Sequence, residues 1–311
     1  MKLCFMFPGQ GTQKPGMLRT LGKEIEKVEE VFQVAYDVCG KDVKDLCLNA
    51  NAEELKRTEN TQLAVTAMNL AYFTLLEKEG IHPDLVMGHS LGQYAALYAS
   101  GVLSMAQVFG LVKKRADLMA KCQQEGILCS ILGLDFNQVD SICKEVDPEQ
   151  KQLVVALYNT QNQIVIGGNP NFVCQAEIRC KEKGAIRTVP VRVSNAFHTP
   201  LMNEMEEPFM DYVNTIELKE AKIKLVLNCK GDYAINQEDI KKEIRNQCCH
   251  TVLWYDSIQK IINEKEDYCF AEVGVGKVLT GLMRSIDPKQ KVYMISNPKQ
   301  REQLKKEIFY V

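Results

Sequence analysis

The sequence has 311 residues, enough for one large domain or two moderate ones, and its 46% apolar and 25% charged content describes a chain with a substantial core rather than a disordered one. A formal net charge of -2 argues against a general nucleic-acid binder or a membrane-surface protein. Pro8-Gly9 stops the first apolar run too early for a secretory signal, and no stretch approaches the roughly 20 apolar residues of a membrane helix, so a cytoplasmic protein that binds neither membrane nor nucleic acid is expected.

In chain order, residues 3–7 are short, apolar and closed by Pro-Gly, which predicts a buried strand and a tight turn. Residues 21–39 carry Ile25, Val28, Val31, Phe32 and Ala35 at helical spacing. Residues 61–79 predict a more apolar helix, with Thr61 as its cap and Gly80 after its end. Residues 85–87 predict a strand running through Gly88-His89-Ser90-Leu91-Gly92 into a helix over 93–100, and residues 105–122 predict an amphipathic helix bearing Lys113, Lys114 and Arg115. The rhythm then changes. Strands at 128–132, 153–158, 163–166 and 186–193, with helices at 137–146 and 172–183, give the order β-α-β-β-α-β of a ferredoxin-like arrangement. Residues 126–193 are therefore expected to form a subdomain inserted between 1–125 and 194–311. Helices at 204–212, 240–247, 254–263 and 278–284 and strands at 224–228 and 268–273 complete the larger part. This alternation predicts an α/β fold with a mostly parallel sheet covered on both faces.

The twelve cysteines are scattered without a C-x-x-C, which suits reduced, buried thiols. Cys248-Cys249-His250 has no second half at a metal-ligand spacing, so no metal site is expected.

Gly88-His89-Ser90-Leu91-Gly92 fits G-x-S-x-G, and its placement between a strand and a helix makes it a candidate nucleophile elbow. Small flanking residues let the backbone close tightly and lift the Ser90 hydroxyl off the sheet edge, with the Leu91 N–H aimed at a reacting carbonyl. A serine nucleophile needs a base, and there are four histidines. His89 adjoins the serine and is read as structural, while His82 precedes Pro83 in a surface turn. His198 follows a strand and lies C-terminal to the serine, so it is the expected base, ahead of His250.

Four ordered motifs now point to a family: Phe7-Pro8-Gly9-Gln10-Gly11, the elbow, Ala196-Phe197-His198-Thr199, and Glu272-Val273-Gly274-Val275-Gly276-Lys277-Val278-Leu279. From residue 1 to about 300 the chain resembles the malonyl-CoA:acyl carrier protein transacylase family. The resemblance implies an α/β-hydrolase-like core with a ferredoxin-like subdomain. It implies Ser90 and His198 as nucleophile and base, with the N–H groups of Gln10 and Leu91 as the oxyanion hole. It places Arg115 on the malonyl carboxylate, Gln62 and Asn159 along the substrate pocket, and a main-chain carbonyl at Leu253 as the group orienting the histidine. Phe197, beside the base, is expected to crowd a 2-methyl branch and to favour malonyl over methylmalonyl. No bound cofactor is implied, since the CoA thioester is itself the substrate.

The implied reaction moves malonyl from malonyl-CoA to the phosphopantetheine thiol of an acyl carrier protein through an ester on Ser90, by an enzyme expected to be a monomer. Lys113, Lys114, Lys183, Arg187 and Arg192 are available to meet an acidic carrier protein. Departures from the family pattern are Gln93 for the usual Glu, Leu253 for Gln or Arg, and Leu63 and Val275 for prolines. Three alternatives stay open: a trans-acting acyltransferase of a polyketide synthase, a hydrolase clearing carrier proteins, and a non-catalytic docking subunit. A hydrolase would have no use for Arg115, and a docking subunit none for Ser90 and His198.

Overall fold

A computed structural model describes residues 1–191, 193 and 195–309. Its ten strands are β1 (Lys2–Phe7), β2 (Leu85–Gly88), β3 (Ile127–Leu132), β4 (Leu153–Thr160), β5 (Gln163–Gly168), β6 (Arg187–Val191), β7 (Lys224–Leu227), β8 (Asp232–Tyr233), β9 (Tyr268–Glu272) and β10 (Val292–Met294). They form two sheets. The larger has the order β10-β9-β1-β2-β7-β8, parallel throughout except for the antiparallel edge strand β8. Its central strands are apolar at nearly every position because both faces are covered. Leu3, Phe5 and Phe7 of β1 point into one core, and Cys4 and Met6 into the other. The first core is filled by the Thr58–Lys78 helix, buried on almost every side as its apolar sequence requires. Phe73 from that helix packs edge-to-face on Phe5 and Phe7. Trp254, Ile258 and Ile261 of the Trp254–Asn263 helix, with Leu279 and Met283 of the Val278–Ile286 helix, fill the second.

The smaller sheet has the order β4-β5-β3-β6, with every pairing antiparallel. Helices Phe136–Val146 and Pro170–Glu182 cover one face through Val139, Ile142, Val173 and Ala176. The other face sets Leu128, Ala156 and Val165 against Ala196 and Leu201. Reciprocal hydrogen bonds between β4 and residue 252, Val252 N–H to Ala156 O (3.0 Å) and Tyr158 N–H to Val252 O (2.9 Å), join the smaller sheet to the segment that leads into the Trp254–Asn263 helix.

Several expected elements differ. The 21–39 helix is two segments, a 3-10 helix at Met17–Val28 and an α-helix at Glu29–Cys39. Gly22 (φ 56°, ψ −127°) and Val28 (φ −123°, ψ 15°) break the continuity, although Val28, Val31, Phe32 and Ala35 are buried as their spacing implies. The helix expected at 61–79 begins at Thr58, and Thr61 lies inside its first turn with its hydroxyl donating to the Leu55 carbonyl instead of capping. The helices expected at 204–212 and 240–247 are found at Glu206–Val213 and Gln237–Asn246, and two short helices, Val43–Asn49 and Ala52–Lys56, the 3-10 segment Pro200–Met205, β8, β10 and the Pro298–Phe309 helix are present beyond those expected.

Candidate active site

The strand-turn-helix pattern is realised as β2, the turn His89–Leu91 and the Gly92–Ala99 helix. Ser90 has φ 50°, in the left-handed region that a non-glycine residue occupies only when its surroundings hold it there. Gly88 and Gly92 make the turn possible: a Cβ at Gly88 would overlap the Gly92 backbone, and one at Gly92 would overlap the Phe7 carbonyl. Behind the turn, the Ser90 N–H donates to Asn228 Oδ1 (2.7 Å), and the Ser90 carbonyl accepts from Gln247 Nε2 (2.6 Å).

The structure brings His198 to the serine. Ser90 Oγ and His198 Nε2 are 2.7 Å apart. The opposite ring nitrogen, Nδ1, lies 2.6 Å from the Gln247 carbonyl. A carbonyl only accepts, so Nδ1 carries the proton and the Nε2 lone pair faces the hydroxyl. His198 is itself in a left-handed conformation (φ 65°), and its N–H donates to the Cys248 carbonyl (2.8 Å). Burial pushes its pKa down to about 3, and the Arg115 charge pushes the same way, so the imidazole is a neutral base at pH 7. The orienting carbonyl belongs to Gln247 and not to Leu253, which corrects the sequence expectation. The Leu253 carbonyl is taken by Ser257, from both its N–H (3.0 Å) and its hydroxyl (2.8 Å), as the Trp254–Asn263 helix begins.

Arg115 comes from the helix Met105–Lys121 and is completely buried. Its Nη1 donates to Gln62 Oε1 (2.5 Å), its Nη2 lies 3.4 Å from Ser90 Oγ, and the guanidinium sits 5.6 Å from the centre of the Tyr94 ring. Among the described residues no carboxylate pairs with it, and its Nε has no hydrogen-bond partner. A buried guanidinium without an anion is costly, so the site is electrostatically incomplete until one arrives. Gln62 is held in turn by Thr58 Oγ1 (3.0 Å), which also accepts from Gln10 Nε2 (3.3 Å). Among the described residues neither the Gln10 nor the Leu91 backbone N–H donates to a protein acceptor. The loop carrying Gln10 lies against the elbow, since a Cβ on Gly9 would stand 3.6 Å from Leu91 N.

The other expected residues fall as follows. Asn159, on β4, bonds His89 Nε2 through Oδ1 (2.8 Å), and the His89 ring lies against Trp254. Asn159 thus fixes the histidine inside the elbow. Phe197 is buried among Met119, Met202, Met205, Cys248 and Cys249. His82 is exposed, and His250 is an exposed residue bonded to the Asn246 carbonyl (3.0 Å). Among the basic residues, Lys113 and Lys114 are half-buried and Lys183 and Arg187 exposed, none of the four in an ion pair with the described residues, while Arg192 lies outside the described residues.

Sequence reasoning missed Gln247 and Asn228. Asn228 lies at the C-terminal end of a parallel strand beside β2, where α/β sheets gather functional groups, and that position was its available signal. Gln247 ends a charged helix and carried no signal of its own.

A family model described as "Acyl transferase domain" matches residues 4–295. The malonyl CoA-acyl carrier protein transacylase of Staphylococcus aureus (strain MRSA252) is 35% identical over 288 residues, covering 92% of each chain. The crystal structure of the enzyme of the same name from Xanthomonas oryzae pv. oryzae superposes with a TM-score of 0.92 at 32% identity, covering 97% of each chain. A malonyl-transacylase solved in complex with its type II polyketide synthase acyl-carrier protein superposes with a TM-score of 0.91 at 31% identity, covering 96% of this chain and 97% of that one.

Proposed function

This chain belongs to the acyl transferase domain family, and from that premise we propose that it transfers a malonyl group from malonyl-CoA to the phosphopantetheine thiol of an acyl carrier protein, supplying fatty acid synthesis. The observation that carries the proposal is Arg115, a fully buried cation 3.4 Å from the Ser90 hydroxyl with no carboxylate partner among the described residues. An acyl group ending in a carboxylate supplies the missing anion, and a guanidinium takes one through two parallel hydrogen bonds.

In this reading Ser90 Oγ attacks the thioester carbonyl while its proton passes to His198 Nε2, 2.7 Å away. The tetrahedral oxyanion takes the free N–H groups of Leu91 and Gln10. The C–S bond then breaks and CoA leaves with the proton from His198. Malonyl-Ser90 waits, its carboxylate on Arg115 beside Gln62. The carrier protein's thiol gives its proton to His198 and attacks the ester, and collapse returns the proton to Ser90 Oγ. The cycle calls for no bound cofactor, because CoA thioester and carrier protein enter as substrates. The solved complex of a relative with its carrier protein supports that partner.

The same reading takes the 126–193 unit as a ferredoxin-like subdomain inserted into an α/β-hydrolase-like core, supported by its strand order β6-β3-β5-β4, the fourth, first, third and second strands of the unit. Phe197 is assigned the exclusion of a 2-methyl branch through the packed cluster that holds it. A cytoplasmic monomer is the accompanying proposal. Twelve free cysteines suit a reducing compartment, and no helix is long and apolar enough to cross a membrane among the described residues.

Arg115→Ala tests the assignment. Losing one partner of a desolvated charge pair costs about 2–5 kcal/mol, so kcat/KM for malonyl-CoA is expected to fall by at least about 30-fold. Transfer from acetyl-CoA, which has no carboxylate, is expected to hold or rise. Equal losses with both thioesters would sink the assignment.

A further inference from the structure

Resting on the reading that Ser90 is the acylated nucleophile, we propose that Asn228 is a positioning residue. Its carboxamide clips the elbow in the one conformation that presents the Ser90 hydroxyl to His198 and the Leu91 N–H to the reacting carbonyl.

The left-handed Ser90 leaves its N–H outside both β2 and the helix that follows. The Asn228 side chain, arriving from the end of β7, meets the turn at three points. Oδ1 accepts from the Ser90 N–H (2.7 Å), and Nδ2 donates to the Gly88 carbonyl (2.7 Å) and to Gln93 Oε1 (2.7 Å). Residues before, at and after the nucleophile are thereby held by one planar group. Both amide hydrogens have acceptors, so the amide cannot flip without setting acceptors against acceptors. Gln93 is anchored through Nε2 to the Val226 carbonyl (3.0 Å), which closes a ring from β2 through the elbow to β7.

Asn228 is itself fixed. It is 4% exposed, its N–H donates to Glu243 Oε1 (2.9 Å), and its carbonyl accepts from the Leu253 N–H (2.8 Å). The second Glu243 oxygen takes the Cys229 N–H (2.9 Å). The departure at position 93 now has a physical sense: in this chain the partner that Asn228 meets is a neutral amide that both accepts from Asn228 and donates to β7.

The test is single-turnover malonylation of the full-length protein, quenched and read by intact mass, with Ser90→Ala as the zero. Asn228→Ala is expected to slow acylation by at least about tenfold while KM for malonyl-CoA stays within about twofold, since Arg115 and Gln62 are untouched. Asn228→Asp nearly preserves shape and guards against a variant that fails to fold. It keeps the acceptor for Ser90 but turns a second oxygen toward the Gly88 carbonyl and Gln93 Oε1. At pH 8 it is expected to be at least about tenfold slow, and to recover severalfold against wild type at the same pH on going to pH 6, because the introduced carboxyl group, once protonated, regains a hydrogen to donate. Burial holds Cys229 above and His198 below this pH window, and Glu243, which titrates inside it, is controlled by repeating the ratio in a Glu243→Gln background. Wild-type rates per folded molecule in Asn228→Asp, or a slow Asn228→Asp whose ratio ignores pH, would overturn the inference in favour of plain packing. A wild type that takes up no malonyl group sinks the functional reading, and this inference with it.

Discussion

His198 is oriented by a main-chain carbonyl where a serine triad would place a carboxylate. Among the described residues no negative charge beside the ring favours the imidazolium, while burial, Arg115 and His89 oppose it, and this is why its pKa is driven down to about 3. A base that must be neutral is lost only as pH falls through its pKa. In the free enzyme kcat/KM is therefore expected to show no acidic limb from this group between pH 8 and about pH 5. Arg115→Ala removes one of the three depressing causes, burial, Arg115 and His89, so its acidic limb is expected at higher pH than wild type's. A wild-type limb near the ordinary histidine value of about 6.5 would contradict the geometry. Ser90 and His198 were legible because each sits in a motif with an order and a chemistry, and Arg115 only through the resemblance to the family, since alone it reads as an arginine on an amphipathic helix. Gln247 was not, because it acts on the histidine through its carbonyl, which every residue has. Asn228 was hidden for a related reason: two of its three partners on the elbow are backbone groups, of residues 88 and 90, 140 and 138 positions away in the chain.

At the scale of elements, the elbow depends on two glycines whose missing side chains bring backbones into contact. A Cβ on Gly92 would overlap the Phe7 carbonyl on neighbouring β1, and that strand lies at the centre of the larger sheet and cannot yield. Gly92→Ala is expected to cost about 1–3 kcal/mol as overpacking, read as a lower urea midpoint with an unchanged m-value. An unaltered midpoint would show that β1 and the helix do not pack this closely. Alternation of apolar runs and amphipathic segments made most strands and helices readable. Where the reading failed, local backbone geometry overrode side-chain spacing: 21–39 kept its buried face but broke at Gly22 and Val28. The Ala52–Lys56 helix was too short for periodicity and rests on the Asn51 capping box.

Over the whole molecule, two buried groups beside the site bend stability with pH in opposite directions. His198 has a folded pKa of about 3 against an ordinary 6.5, so the unfolded chain takes up a proton that the folded one refuses, and this group lowers stability as pH falls from about 6.5. Burial raises Glu243 to about 7 from an ordinary 4.5, so the folded protein holds a proton that the unfolded one has lost, and stability from this group falls as pH rises from about 4.5 to about 7. Glu243→Gln removes the second slope. The difference in unfolding free energy, wild type minus variant, is expected to decline by up to about 1.4 kcal/mol per pH unit across that window, measured by urea unfolding at several pH values. A flat difference would mean Glu243 ionises in the fold as it does in water. The two-sheet architecture was legible as a change of rhythm near residue 126, but the hydrogen bonds that join β4 to the larger part, at residue 252 and between Asn159 and His89, were not, since isolated cross-links leave no pattern in the chain.

The central claim is that Ser90 carries a malonyl group whose carboxylate rests on Arg115. The measurement that tests it most directly is the intact mass of the protein after brief exposure to malonyl-CoA, methylmalonyl-CoA and acetyl-CoA, for wild type and Ser90→Ala, followed by addition of a phosphopantetheinylated carrier protein. The account predicts one malonyl group on wild type, located at Ser90 by peptide mapping, faster uptake of malonyl than of the other two, none on Ser90→Ala, and its loss to the carrier protein's thiol. Label on Ser90→Ala, or a malonyl group released as free acid in preference to transfer, would contradict it.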